Sequence, residues 1–219
     1  MPDESSGEVF VSSAPTPQAI YMAAIGLPLP DGVNVNYATF DRNEPKKFGN
    51  QFFVWESANS TVPWSRDPIA KVPLATNSYS GTQKVGFDYE PQTGYIIGYG
   101  LSPDPGSVCA TFFIPPNAPP GDTMNLTVGS PVWGRGFVQI KYNALANYNP
   151  SENGNLIGLW NAPQASYDGD ALAVAPVPYS QSSGPASIMY DILANTTYTV
   201  GYFMGGNTAL AGQVTFSTG

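Results

Sequence analysis

Two loop segments carry the residues best suited to chemistry. Pro63-Trp64-Ser65-Arg66-Asp67 and Ser166-Tyr167-Asp168-Gly169-Asp170 each set an aromatic ring three positions before an aspartate. An aromatic face stacks on the apolar C–H face of a sugar, and a nearby carboxylate accepts hydrogen bonds from its hydroxyls. Trp64, Asp67, Tyr167, Asp168 and Asp170 are therefore the candidate ligand-binding residues, with a glycan or glycoprotein as partner. The competing reading folds Trp64 and Tyr167 back as lids over the core. Asp168 and Asp170, flanking Gly169, could also lend oxygens to a calcium ion. Arg66 beside Asp67 opposes a cation in the first segment, so an ordinary turn is the simpler account and no cofactor is expected. Asn149, Glu152, Asn153 and Asn155 form a second polar group, with Asn43, Glu44 and Asn50 as counterparts. They could bond a ligand or simply make turns.

Several chemistries are missing. The chain has no histidine and one cysteine, Cys109, so the commonest general base and transition-metal ligand is absent and no intrachain disulfide can form. Cys109 falls in an expected strand, where a lone cysteine packs as a small hydrophobe. A glycosidase could work with carboxylates alone, but the acids are scattered over turns. Gly-rich phosphate loops and a nucleophile elbow are also lacking, so the expectation is a non-enzyme. The formal charge is −8, and the eight Lys and Arg form no cluster beyond Lys46–Lys47. Nucleic acid needs a basic footprint and is not expected as a partner. The apolar run over 19–29 is short and broken by Gly26 and Pro28, so no membrane span is expected. No basic-then-apolar leader is present, which suits a cytoplasmic or non-classically secreted protein. Three N-x-S/T sequons, at Asn59, Asn125 and Asn195, would matter only outside the cell.

What must position the candidate residues is a duplicated module. Residues 33–55 and 138–160 match without a gap: Val33, Tyr37, Pro45, Gly49, Asn50 and Trp55 fall on Val138, Tyr142, Pro150, Gly154, Asn155 and Trp160. After a two-residue deletion Asp67, Pro73, Gly81, Tyr95 and Tyr99 fall on Asp170, Pro176, Gly184, Tyr198 and Tyr202. A period of 103–105 residues is that of a domain, too long for a solenoid unit. The expected organisation is a flexible acidic arm over 1–17, one repeat over 18–114, a stiff proline-rich linker over 115–122 and a second repeat over 123–219. Apolar residues alternate with period two, as in Val33, Val35, Tyr37 and Ile188, Tyr190, Ile192, which predicts strands with one buried face. About seven strands per repeat result, in the first near 19–25, 33–40, 51–57, 69–74, 84–90, 94–101 and 107–114. The expected fold class is all-β: two tandem seven-stranded antiparallel sandwiches.

One stretch carries a likeness. Leu193-Ala194-Asn195-Thr196-Thr197-Tyr198-Thr199-Val200 resembles the corner between two strands of fibronectin type III and related immunoglobulin-like domains. The resemblance implies that the tyrosine hydroxyl ties back to the preceding loop. The first repeat keeps Tyr95 but has Glu90 where Leu193 stands. Trp55 and Trp160 are expected in the core, and Trp133, which has no aromatic counterpart, against the other repeat or another chain. The leading functional expectation is a lectin-like binding protein with two similar sites giving avidity. The alternative is a structural, protein-interacting or self-assembling protein, which would be a homo-oligomer.

Overall fold

A computed structural model describes residues 14–167, 169, 171–206 and 208–219. In the first half the strands are β1 (Thr16–Ala19), β2 (Tyr21–Leu29), β3 (Gly32–Ala38), β4 (Gln51–Glu56), β5 (Ala70–Pro73), β6 (Ser80–Val85), β7 (Tyr95–Gly100) and β8 (Val108–Ile114). The second half has β9 (Met124–Asn125), β10 (Thr127–Val128), β11 (Val132–Gly134), β12 (Phe137–Asn143), β13 (Leu156–Trp160), β14 (Ala173–Pro176), β15 (Ser183–Met189), β16 (Thr197–Phe203) and β17 (Leu210–Ser217). All the pairings are antiparallel, and a single 3-10 turn, Pro105–Ser107, is the only helical element among the described residues. The all-β expectation therefore holds.

The halves repeat one plan. A sheet β2-β3-β6 accompanies β5-β4-β7-β8 in the first; β12, flanked by β10, β11 and β15, accompanies β14-β13-β16-β17 in the second. Inward-facing residues of both sheets, among them Val33, Val35, Phe52 and Val54, join one buried apolar cluster that also takes in Ile140, Tyr142, Ile157 and Val200 of the second half. Burying side chains of this size contributes about 1.5–3 kcal/mol each. Two matched tyrosines lie over matched glycines across the strand pair. Tyr37 faces Gly81 and Tyr142 faces Gly184, with room at each glycine for the phenol but little more.

Each large sheet has a fifth strand borrowed from the other half. β1 pairs with β17, Thr16 opposite Thr215 and Ala19 opposite Gly212. β9 pairs with β8, Ala110 opposite Asn125. Each leading strand then crosses to its own half, β1 continuing into β2 and β9 into β10. The crossing is tied by Asn125 Nδ2 donating to Ile20 O (3.1 Å) and by the Thr123 hydroxyl donating to Met22 O.

Three expectations change here. Thr16 and Pro17 are strand residues of the second half's sheet rather than part of an arm, because that sheet's edge supplies ladder partners; residues 1–13 of the expected arm lie outside the described residues. The proline-rich linker is not an extended spacer. It turns back on β8, with Ala118 N bonded to Pro115 O and Gly121 N to Phe113 O, and Asn117 takes φ 54° at the bend. The strand expected near 84–90 instead occupies Ser80–Val85. Register with β3 begins at Ser80, inside a Ser/Gly stretch that reads as a turn, and residues past Val85 leave the ladder.

Candidate functional site

The loop between β4 and β5 is held at several points. Trp55, buried at the end of β4, donates its indole N–H to Arg66 O (3.1 Å), and the Arg66 guanidinium returns to Glu56 O (2.8 Å). Backbone turns from Trp64 N to Val62 O and from Arg66 N to Pro63 O fix the segment between them. Val62 is buried with Phe53, Trp55, Ile96 and Val108 on the outer face of the β4–β7–β8 sheet, and Leu145 of the second half completes that cluster. The loop is thus a rigid lid on its own sheet, from which Trp64 projects half-buried.

Trp64 reaches the second half. Its Nε1 donates to Ala146 O at 2.9 Å, and its ring lies 5.0 Å from that of Tyr148 at 57°. Two clefts meet at this ring. The larger, about 920 Å³, is lined by amides and hydroxyls including Asn59, Thr61, Gln92, Thr93 and Asn147. The smaller, about 410 Å³, lies between the halves and has Asp67, Asp104, Asn149 and Glu152 on its walls. Trp64, Ser65, Arg66 and Asn147 belong to both, so the two form one continuous groove built from both repeats.

The second copy of the motif is different. Tyr167 is only 5% exposed and stacks on Phe48 of the first half, centroids 5.4 Å apart at 18°. Among the described residues its hydroxyl has no hydrogen-bond partner, and burial pushes its ionisation upward. A solvent-facing platform at Tyr167 is therefore corrected: this ring is a lid sealed against the first repeat. Asp168 and Asp170, the other two candidates of that loop, lie outside the described residues. Of the two candidate rings only that of Trp64 is part-exposed, and exposed Asp67 lies on the same groove.

The asparagines divide by depth. Asn50 is fully buried; its Oδ1 accepts from Tyr99 OH (3.1 Å) and Asn43 Nδ2 (2.9 Å), and its Nδ2 donates to Leu101 O (2.8 Å). Asn155 sits equivalently, donating to Tyr202 OH (2.9 Å), with Tyr148 OH 3.0 Å from its Oδ1. Both are structural. Asn149 is engaged with Glu152 and Ser151 in its own turn, yet borders the smaller cleft. Asp104 and Asn147 also line the groove and were not singled out from sequence. They come from loops whose meeting depends on how the halves dock, and no local pattern marks them.

Trp160 is buried, as expected of a core residue. Trp133 stacks on Phe216 of its own half (4.8 Å, 28°) rather than on the other repeat. Cys109 is buried, its thiol bonded to Tyr99 O, and burial raises its ionisation well above the ordinary thiol range. Among the described residues no group of three or more Cys, Asp or Glu is placed to hold a metal ion. No described helix is long and apolar enough to cross a membrane.

No protein-family model matches the chain, and no curated protein matches it. Among solved structures it is similar to a DUF3823 family protein from Bacteroides uniformis ATCC 8492, with 6% identity, 80% of this chain and 89% of that chain covered, and a TM-score of 0.31. An overlap that loose does not establish a shared fold.

Proposed function

We propose that the protein is a non-enzymatic carbohydrate-binding module whose single site is the groove around Trp64. The observation that carries this reading is the placement of Trp64. A half-buried indole stands where two clefts join, its N–H anchored on Ala146 O and its surroundings rich in amides and hydroxyls. An aromatic platform with neighbouring polar groups is what a sugar's two-faced surface requires. Asp67, at the rim, is the proposed acceptor for sugar hydroxyls. We also infer a fibronectin type III-like architecture for each repeat. In support, Leu193 N donates to Tyr198 OH and Glu90 N to Tyr95 OH, both at 3.1 Å, so both repeats make the tie that the resemblance implies.

The test is a glycan array followed by titration calorimetry on the best ligand. Trp64→Ala lowers affinity at least about tenfold, roughly 1.4 kcal/mol, since stacking and apolar contact are both lost. Tyr167→Phe leaves binding intact and stability unchanged or slightly higher, because it removes a buried hydroxyl with no hydrogen-bond partner among the described residues. Absence of any glycan binding by the natural chain, or full binding by Trp64→Ala, would overturn the proposal. Release of cleaved sugars would make it an enzyme instead.

A structural, self-assembling role is the second reading. It is favoured by exposed Tyr21, Ile25, Leu27 and Leu29 along the edge strand β2. Light scattering over a concentration series separates the two: ligand-independent growth of large species favours assembly.

A further inference from the structure

We propose that two copies of this chain exchange halves, forming a closed twofold dimer through residues 115–123 as the hinge. The groundwork is the reciprocity of the contact between the halves. Each large sheet is completed by a strand that belongs to the other repeat, β1 on β17 and β9 on β8. The loops exchange contacts as well: Trp64 docks on Ala146, Phe48 on Tyr167, and Tyr148 OH lies 2.7 Å from Gly106 O. Every one of these joins first half to second half. All of them can be remade with the second half of another copy, at no loss, provided the connector opens.

The connector is built to open. Four of residues 115–122 are proline, a composition that favours an extended chain. Within one chain it must instead fold back onto β8, with non-glycine Asn117 at φ 54°. Opening it gives up the backbone bonds of the bend, including Asn117 N to Pro91 O, to water and lets the prolines adopt their preferred conformation, while the buried surfaces between the halves stay the same. Exchange of an identical element between two copies is a low-cost route to a dimer. The opposing factor is proximity, since a tethered half is presented at an effective concentration on the order of millimolar. Exchange therefore emerges on refolding at high concentration. Such a dimer has two Trp64 grooves, each lined by two chains.

The test is a pair of cysteines across β1 and β17. Gln18 and Gln213 are register partners whose side chains are hydrogen-bonded at 2.6 Å. Buried Cys109 does not compete. The chain with Gln18→Cys and Gln213→Cys is refolded at about 10 µM and at about 1 mM, bracketing the tethered regime, then oxidised and run on a non-reducing gel. The expected result is an intrachain bond at the lower concentration and covalent dimer as a major product at the higher, absent from either single substitution. An intrachain bond alone at both concentrations overturns the proposal, even if the protein associates through its surface. Pro119→Ala with Pro120→Ala is expected to lower the dimer fraction several-fold; an unchanged fraction removes the connector as the driving element. Should the cysteine pair not fold, light scattering of the natural chain refolded at the higher concentration and then diluted to the lower one decides: a dimer that persists on dilution supports exchange, and a dimer that dissociates at once, or a monomer throughout, overturns it.

Discussion

Asn50 and Asn155 occupy one position in the two repeats and bond the same tyrosine position, Tyr99 and Tyr202, in different ways. Asn50 accepts from its tyrosine and from Asn43; Asn155 donates to its tyrosine and lies beside Tyr148. Position 43 in the first repeat corresponds to 148 in the second, so the repeats share the amide and differ in its neighbour. Removing a buried amide leaves its partners unpaired, at about 1–3 kcal/mol each. Asn50→Ala strands Tyr99 OH, Asn43 Nδ2 and Leu101 O and is expected to cost roughly 3 kcal/mol. Asn155→Ala is expected to cost less, because Tyr148 keeps Gly106 O within reach. Urea unfolding of both variants checks the order; equal costs would mean that the neighbours do not matter. The pairing of Asn50 with Asn155 was legible from the repeat, but their depth was not. Polar residues beside Gly and Pro read as a surface turn, and only the tyrosines folded over them reveal a buried one.

Among the elements, prolines mark the edges of the sheets. Pro17, Pro28, Pro73, Pro176 and Pro185 lie in β1, β2, β5, β14 and β15, all of them edge strands. The interior strands β3, β4, β7, β8, β12, β13, β16 and β17 contain none. A residue without an N–H cannot serve an interior ladder and blunts an exposed one. This distribution opposes open-ended edge pairing. Pro73 and Pro176 are equivalent, opposite Gln51 and Leu156. Replacing both by valine is expected to change stability by less than about 1 kcal/mol while raising scattering on prolonged incubation. If scattering stays flat, the prolines do not protect the edges. Alternation revealed most strands because a half-buried strand must alternate. It misplaced β6, whose outward residues are Ser, Thr and Lys and whose inward positions include a glycine beneath Tyr37.

At the scale of the whole molecule, buried phenols collect where the halves meet and just beneath. Burial raises the ionisation of Tyr99, Tyr148, Tyr167 and Tyr202 above the ordinary value near 10. Their folded form therefore holds its protons longer than the unfolded chain does. That stabilisation is complete below pH ~10 and is lost above it, at about 1.4 kcal/mol per pH unit for each phenol. Unfolding midpoints in urea are expected to fall steeply above pH ~10; a midpoint unchanged to pH ~11 would show that the phenols are open to water. The duplication, the all-β class and the aromatic–aspartate motif were set by local sequence, because a half-buried strand and a repeated module leave periodic marks on the chain. Which ring of that motif stays part-exposed was decided by docking. Phe48 and Ala146 are distant in the chain from the rings they meet, and the same loop leaves Trp64 half-buried beside the groove and makes Tyr167 a sealed lid. The exchange of β1 and β9 was equally invisible, since a strand's pattern records that one face is buried but not whose sheet supplies its hydrogen bonds.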